Sequence, residues 1–92
     1  MFNIDSYCPI CCEGTIGFVL CSDQKTMVLV CDECESTWLD PSNVSPIQVL
    51  YPKAPDFKVP GLECSIKAPD ARWATREEIM QKGWGHYIAD CG

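Results

Sequence analysis

Two Cys-x-x-Cys pairs, Cys8-Pro9-Ile10-Cys11 and Cys31-Asp32-Glu33-Cys34, with nineteen residues between them, constrain this chain more than any other feature. A Cys-x-x-Cys turn is short enough to bring two sulfurs onto one metal, and two such turns make a tetrahedral cage of four thiolates suited to zinc. With 92 residues there is room for one small domain, or for a metal module with a modest extension. The segment around the pairs is near the length of roughly 40 residues below which a chain usually needs a metal, disulfides or a partner to stay folded. A metal would supply there what a small core cannot.

Eight cysteines also suit a secreted disulfide framework, but that class begins with a signal peptide. Met1-Phe2-Asn3-Ile4-Asp5 has neither a basic start nor an apolar run, and no stretch reaches the ~18 apolar residues of a bilayer span. The expected compartment is therefore reducing, the cytoplasm, with no membrane association. Charge is divided unevenly. Residues 1–46 carry Asp5, Glu13, Asp23, Asp32, Glu33, Glu35 and Asp40 against Lys25 alone, whereas residues 47–92 balance six acids with six bases. Zinc on four thiolates takes the first half to about −8, a charge that repels a phosphate backbone.

Along the chain, Thr15 to Cys21 and Thr26 to Val30 are rich in β-branched and apolar residues and are expected as strands. Ser22-Asp23-Gln24-Lys25 between them is polar turn chemistry, so the two form a hairpin. The second strand runs straight into Cys31, which puts both Cys-x-x-Cys turns at the hairpin's open end. Gly14 is expected to relax the backbone beside the first turn. Glu35 to Pro41 is expected as a short strand ended by proline, with Trp38 packed over the hairpin.

These residues resemble the zinc-ribbon family, in which two knuckles on β-hairpins grip one zinc. The resemblance covers about residues 7–40 and implies Cys8, Cys11, Cys31 and Cys34 as the ligands. Cys12 departs from it, standing where many ribbons have glycine. Ribbons serve transcription, translation, enzymes and adaptors alike, so the family says little about activity.

Five prolines, at 41, 46, 52, 55 and 60, exclude a long helix or a central strand from the following stretch. Ile47 to Tyr51 is its one β-like island, expected as an edge strand in an extended wrap around the body. Thr75-Arg76-Glu77-Glu78 is a capping box that opens a helix over residues 75–83, stopped by Gly83 and carrying Lys82 in its last turn. Ile79 and Met80 are expected to face inward. Trp84 to Ile88 is expected as a short strand or a docking loop. The expected fold is a small α+β domain. A zinc-ribbon module over 1–46 carries a proline-rich extension over 47–92, packed on it as one domain.

The chemistry expected is structural. Four sulfurs leave no open position for water or substrate, and no phosphate loop, nucleophile elbow or carboxylate pair accompanies them. An enzyme is not expected. Iron is the alternative metal, since tetrahedral sulfur suits both. Cys12, Cys21, Cys64 and Cys91, with His86, are candidates for a second site, although no pair among them has ligand spacing. The leading expectation is a protein-interaction module for a basic partner, for example an immunity or inhibitor protein or an adaptor. Its partner residues would be Glu33, Glu35, Trp38, Trp73 and Trp84. The alternative is a nucleic-acid-binding accessory factor of transcription or translation using Lys67, Arg72, Arg76 and Lys82 around Trp73.

Overall fold

The computed structural model describes residues 1–89; Cys91 lies outside them. Its centre is the expected hairpin. Strands β2 (Thr15–Leu20) and β3 (Met27–Cys31), numbered in chain order, pair antiparallel from Ile16↔Cys31 to Leu20↔Met27. Asp23 shapes their turn, its carboxylate accepting from the N–H groups of Lys25 (3.0 Å) and Thr26 (2.8 Å) and from the Thr26 hydroxyl (2.6 Å). Those bonds, the Thr26 hydroxyl foremost, hold the Asp23 carboxyl below its ordinary value. Gln24 completes the reversal in the left-handed region at φ 61°.

Three short strands complete a five-stranded antiparallel sheet. β4 (Thr37–Trp38) pairs outside β3. The other edge of β2 is divided: β1 (Asn3–Tyr7) takes Thr15 and Gly17, and β5 (Arg72–Trp73) takes Val19 and Leu20. Gly17 has a steric reason to lack a side chain. A Cβ there would lie 2.5 Å from the Met1 sulfur and 2.6 Å from the Trp73 ring, both of which lie over it.

The hairpin is covered on both faces, which is why its strands are apolar throughout rather than alternating with polar residues. Ile16, Phe18, Leu20, Met27 and Leu29 point to one core, with Trp38, Ala74 and Ile79. Val19, Cys21, Val28 and Val30 point to the other, with Val59, Cys64 and Ala71. The second core is made with the proline-bearing stretch and the residues after it. Isolated bridges Lys53↔Lys58 and Lys58↔Ser65 tie that stretch to itself, and Ser22 N–H donates to Ser65 O at 3.0 Å to tie it to the hairpin.

The fold is mostly β, and the helical part of the expected α+β class is smaller than anticipated. Strand β1 was missed: Asn3-Ile4-Asp5-Ser6-Tyr7 offers only Ile4 as a buried side chain, too little for a pattern. The edge strand expected over Ile47 to Tyr51 reduces to one bridge, Leu50 to Thr37, because the flanking Pro46 and Pro52 cannot extend a ladder; Ile47 is 88% exposed. Trp84 to Ile88 forms a one-turn 3-10 helix (Gly85–Tyr87), and Ile88 then bridges Ile4.

Helix α1 (Arg76–Gln81) sits where the capping box placed it. Thr75 Oγ1 accepts from the Glu78 N–H at 3.2 Å, and Glu78 Oε1 accepts from the Thr75 N–H at 2.8 Å. Gly83 follows at φ 85°, in the left-handed conformation that ends helices. Ile79 is buried, but Met80, one position and about 100° further round the helix, is 56% exposed. Lys82 is the C-cap rather than a last-turn residue, and its ammonium lies 5.2 Å from the centroid of the Trp84 ring.

Glu78 does a second task. Both its oxygens accept from the Arg72 guanidinium, at 2.8 and 2.7 Å, joining the helix to β5. Arg72 first, and the Thr75 N–H second, lower the Glu78 carboxyl from 4.5 to about 2. A depressed folded-state value means the stabilisation is complete above pH 4.5 and is lost as pH falls through about 2. Thr75→Ala is expected to cost about 1 kcal/mol in urea unfolding. Arg72→Ala should move the Glu78 carboxyl titration upward, as read by carbon NMR. An unmoved titration would show that the Arg72 fork is not what holds the charge.

Candidate metal centre

The positions of the four paired cysteines are set by the hairpin's register. Cys31 ends β3 opposite Ile16, and Cys8 directly follows β1, so the two Cys-x-x-Cys turns meet at the open end of β2 and β3. The turns repeat one backbone pattern. Cys12 N–H donates to Cys8 O at 3.0 Å, and Glu35 N–H donates to Cys31 O at 3.1 Å. Each chain then passes through the left-handed region immediately after its second sulfur, Cys12 at φ 60° and Glu35 at φ 61°. Cys12 thus adopts the conformation that glycine takes most easily. Its side chain is exposed and outside the sulfur cluster.

The sulfurs of Cys8, Cys11, Cys31 and Cys34 all lie within 4.8 Å of one another. Cys8 and Cys34 approach to 3.6 Å, and Cys11 and Cys31 to 3.7 Å. A tetrahedron of Zn–S bonds near 2.3 Å has edges of about 3.8 Å, so the spacing fits one four-coordinate ion. Among the described residues, these four make the one such cluster of metal-type donors. The donor set is compatible with zinc, and tetrahedral sulfur also suits iron.

Backbone N–H groups are aimed at the sulfurs, as thiolate charge requires. Ile10 N–H donates to Cys8 Sγ at 3.4 Å, Gly14 N–H to Cys11 Sγ at 3.3 Å, and Glu33 N–H to Cys31 Sγ at 3.4 Å. Ser36 adds its hydroxyl, 3.1 Å from Cys34 Sγ. Burial pushes the Cys8 thiol up, and that of Cys31 up to about 12. Burial also acts against the Cys34 thiolate, but hydrogen bonds from the Ser36 hydroxyl and N–H outweigh it and bring that thiol down to about 7.

Sequence reasoning identified the cysteines and Gly14, gave Gly14 a different reason, and missed Ser36. Gly14 acts through space rather than through conformational freedom: a Cβ there would lie 2.2 Å from Cys31 Sγ. Its signal was a glycine three residues after Cys11. Ser36 is a small polar residue two positions after Cys34, a weaker signal. The spare residues do not gather into a second centre among the described residues. Cys21 and Cys64 are side by side in the second core, where burial, with Cys64 adding, pushes the Cys21 thiol up to about 12. His86 lies against Tyr87, ring centroids 4.1 Å apart and planes tilted by 39°.

The five candidate partner residues separate. Glu33, Glu35 and Trp73 line one groove of about 610 Å³ beside the second Cys-x-x-Cys turn. Trp38 is fully buried, its indole N–H donating to Ser45 O at 2.8 Å, and is a core residue. Trp84 packs against the first core, its ring centroid 6.4 Å from that of Phe18.

No family model matches the chain, and no solved structure matches it. It is similar to an uncharacterized protein of Acanthamoeba polyphaga mimivirus, 26% identical over 86 residues that cover 88% of this chain and 72% of the viral one.

Structural zinc contributes an apparent binding free energy on the order of 10 kcal/mol, comparable to the whole stability of a small domain. Chelation is therefore expected to abolish the β-sheet signal in circular dichroism. Gly14→Ala should lower metal affinity by tenfold or more, roughly the loss seen when groups around a metal's ligands are disturbed. A native spectrum from protein shown to be metal-free would contradict the structural role.

Proposed function

We propose that the protein is a small cytoplasmic zinc-binding protein of zinc-ribbon type, with a structural metal and a protein-interaction surface, and that it is not an enzyme. When bound, zinc would join Cys8 and Cys11 to Cys31 and Cys34 and lock the open end of the hairpin. Four sulfur ligands complete the tetrahedral sphere and leave no position for a reacting water. The metal's task in this reading is to hold a surface in shape.

The observation that carries the reading is where the acidic residues lie. Asp32, Glu33 and Glu35 are exposed on the same turn that supplies Cys31 and Cys34. Folding that turn around a metal therefore fixes the positions of three carboxylates at once. A fixed acidic cluster speeds encounter with a basic partner and repels acidic ones. An immunity or inhibitor protein, or an adaptor, fits this chemistry.

The nucleic-acid alternative loses support from the basic residues it needs. Arg72 is engaged by Glu78 through both carboxylate oxygens, and Lys82 lies over Trp84 rather than beside Trp73. Single-stranded DNA and RNA are expected not to bind at low salt in fluorescence anisotropy, where phosphate contacts are strongest.

Elemental analysis is expected to find one zinc per chain. With the cognate basic partner, the double variant Glu33→Lys/Glu35→Lys should associate about tenfold more slowly and with a flatter salt dependence. Equal association rates for variant and wild type across the salt range would refute the acidic-surface reading.

A further inference from the structure

The groove beside the metal centre combines two kinds of wall. Its floor is apolar: Val19 and Val30 lie on the hairpin face opposite α1, and Ile66 and Trp73 flank them. Trp73 lies over Gly17 and is 40% exposed, so its ring is available at the side of the groove. The opposite wall is the second Cys-x-x-Cys turn, with Asp32, Glu33 and Glu35.

The charge of this groove is one-sided. Arg72 also lines it, but its guanidinium is answered by both oxygens of Glu78. Asp32 is held in place by the Thr15 N–H, which donates to its Oδ1 at 2.9 Å. Among the described residues, neither Glu33 nor Glu35 takes part in an ion pair. Cys31 also lines the groove, so a loaded metal centre would add net negative charge behind the same wall. An apolar floor, an exposed indole and unanswered carboxylates together select a ligand that is apolar and cationic at once. A volume of about 610 Å³ holds a few side chains, not a folded domain.

We propose that this groove binds an extended segment of a partner protein in which an apolar side chain is flanked by arginine. The apolar side chain rests on Val19 and Val30. An adjacent guanidinium reaches Glu33 and Glu35 along the Trp73 face, where a planar cation gains from both the ring and the carboxylates. The proposal rests on the interaction-module reading and names its site and the chemistry of its partner.

The test is a proton–nitrogen NMR titration of the zinc-loaded full chain with a synthetic peptide, acetyl-Gly-Arg-Leu-Arg-Gly-amide. Control peptides replace both arginines by glutamate or the leucine by serine. Perturbed amides are expected around Val30, Glu33, Ile66 and Trp73, with the parent peptide binding at least about tenfold tighter than either control. Trp73→Ala and the groove-filling Ala68→Trp should each weaken binding about tenfold, as should Glu33→Gln/Glu35→Gln. Ala68 is exposed, so that variant leaves both cores intact, and retained spectral dispersion reports the fold. If the glutamine variant weakens binding while Trp73→Ala and Ala68→Trp do not, the groove is overturned and the acidic-surface reading stands; if the shifts avoid both the groove and the turn over residues 32–35, both are overturned. If the arginine peptide binds no better than the glutamate peptide, both are overturned.

Discussion

The pairing of Ile16 with Cys31 is the constraint on which the rest of the structure depends. It places the end of β3 beside the start of β2, and so sets one Cys-x-x-Cys turn against the other. A slip of one residue would turn the two faces of the hairpin over and withdraw Cys31 from the cluster. Cross-strand packing and the four sulfurs therefore enforce the same alignment from opposite directions. The hydrogen-bonded Asp23 turn fixes it at the far end.

What could be read in the sequence was what depends on local chemistry. Cysteine spacing revealed the sulfur cluster, β-branched runs revealed the two long strands, and the Thr75–Glu78 reciprocity revealed the helix start. What could not be read depends on distant partners. Asn3 to Tyr7 becomes a strand because β2 offers it an edge, not because of its own composition. Trp38 reads both as packing over the hairpin and as a partner-binding residue, and its neighbours in the chain do not decide between the two. In the fold, Ser45 supplies its indole with an acceptor and lets it sink into the core. Beside Ile79 in sequence, Met80 is expected inward, but so short a helix presents only one narrow stripe to the sheet. Gly14 was visible as a glycine, while its reason, the sulfur of Cys31 beside it, belongs to the other turn.

The two faces of the hairpin divide the labour. One is closed by α1 and the residues after it, and the capping box and the Arg72–Glu78 fork hold that cover on. The other is closed only in part by the proline-bearing stretch, which packs Val59 and Cys64 near the hairpin's turn and leaves Val19 and Val30 to floor an open groove. Metal centre, acidic turn and groove are contiguous. A single ion organising the first of these would therefore organise all three.

The divided edge of β2 bears on the order in which the molecule assembles. The cysteine cluster and the whole hairpin lie within the first 34 residues, whereas β5, which covers the second half of that edge, comes from residues 72–73. A chain growing from its N-terminus can thus close its sulfur cluster long before Val19 and Leu20 receive their neighbour. Until then part of a strongly apolar strand has an open flank, the feature through which nascent chains join one another. Early capture of a metal would secure the register of that strand during the interval in which its edge is bare.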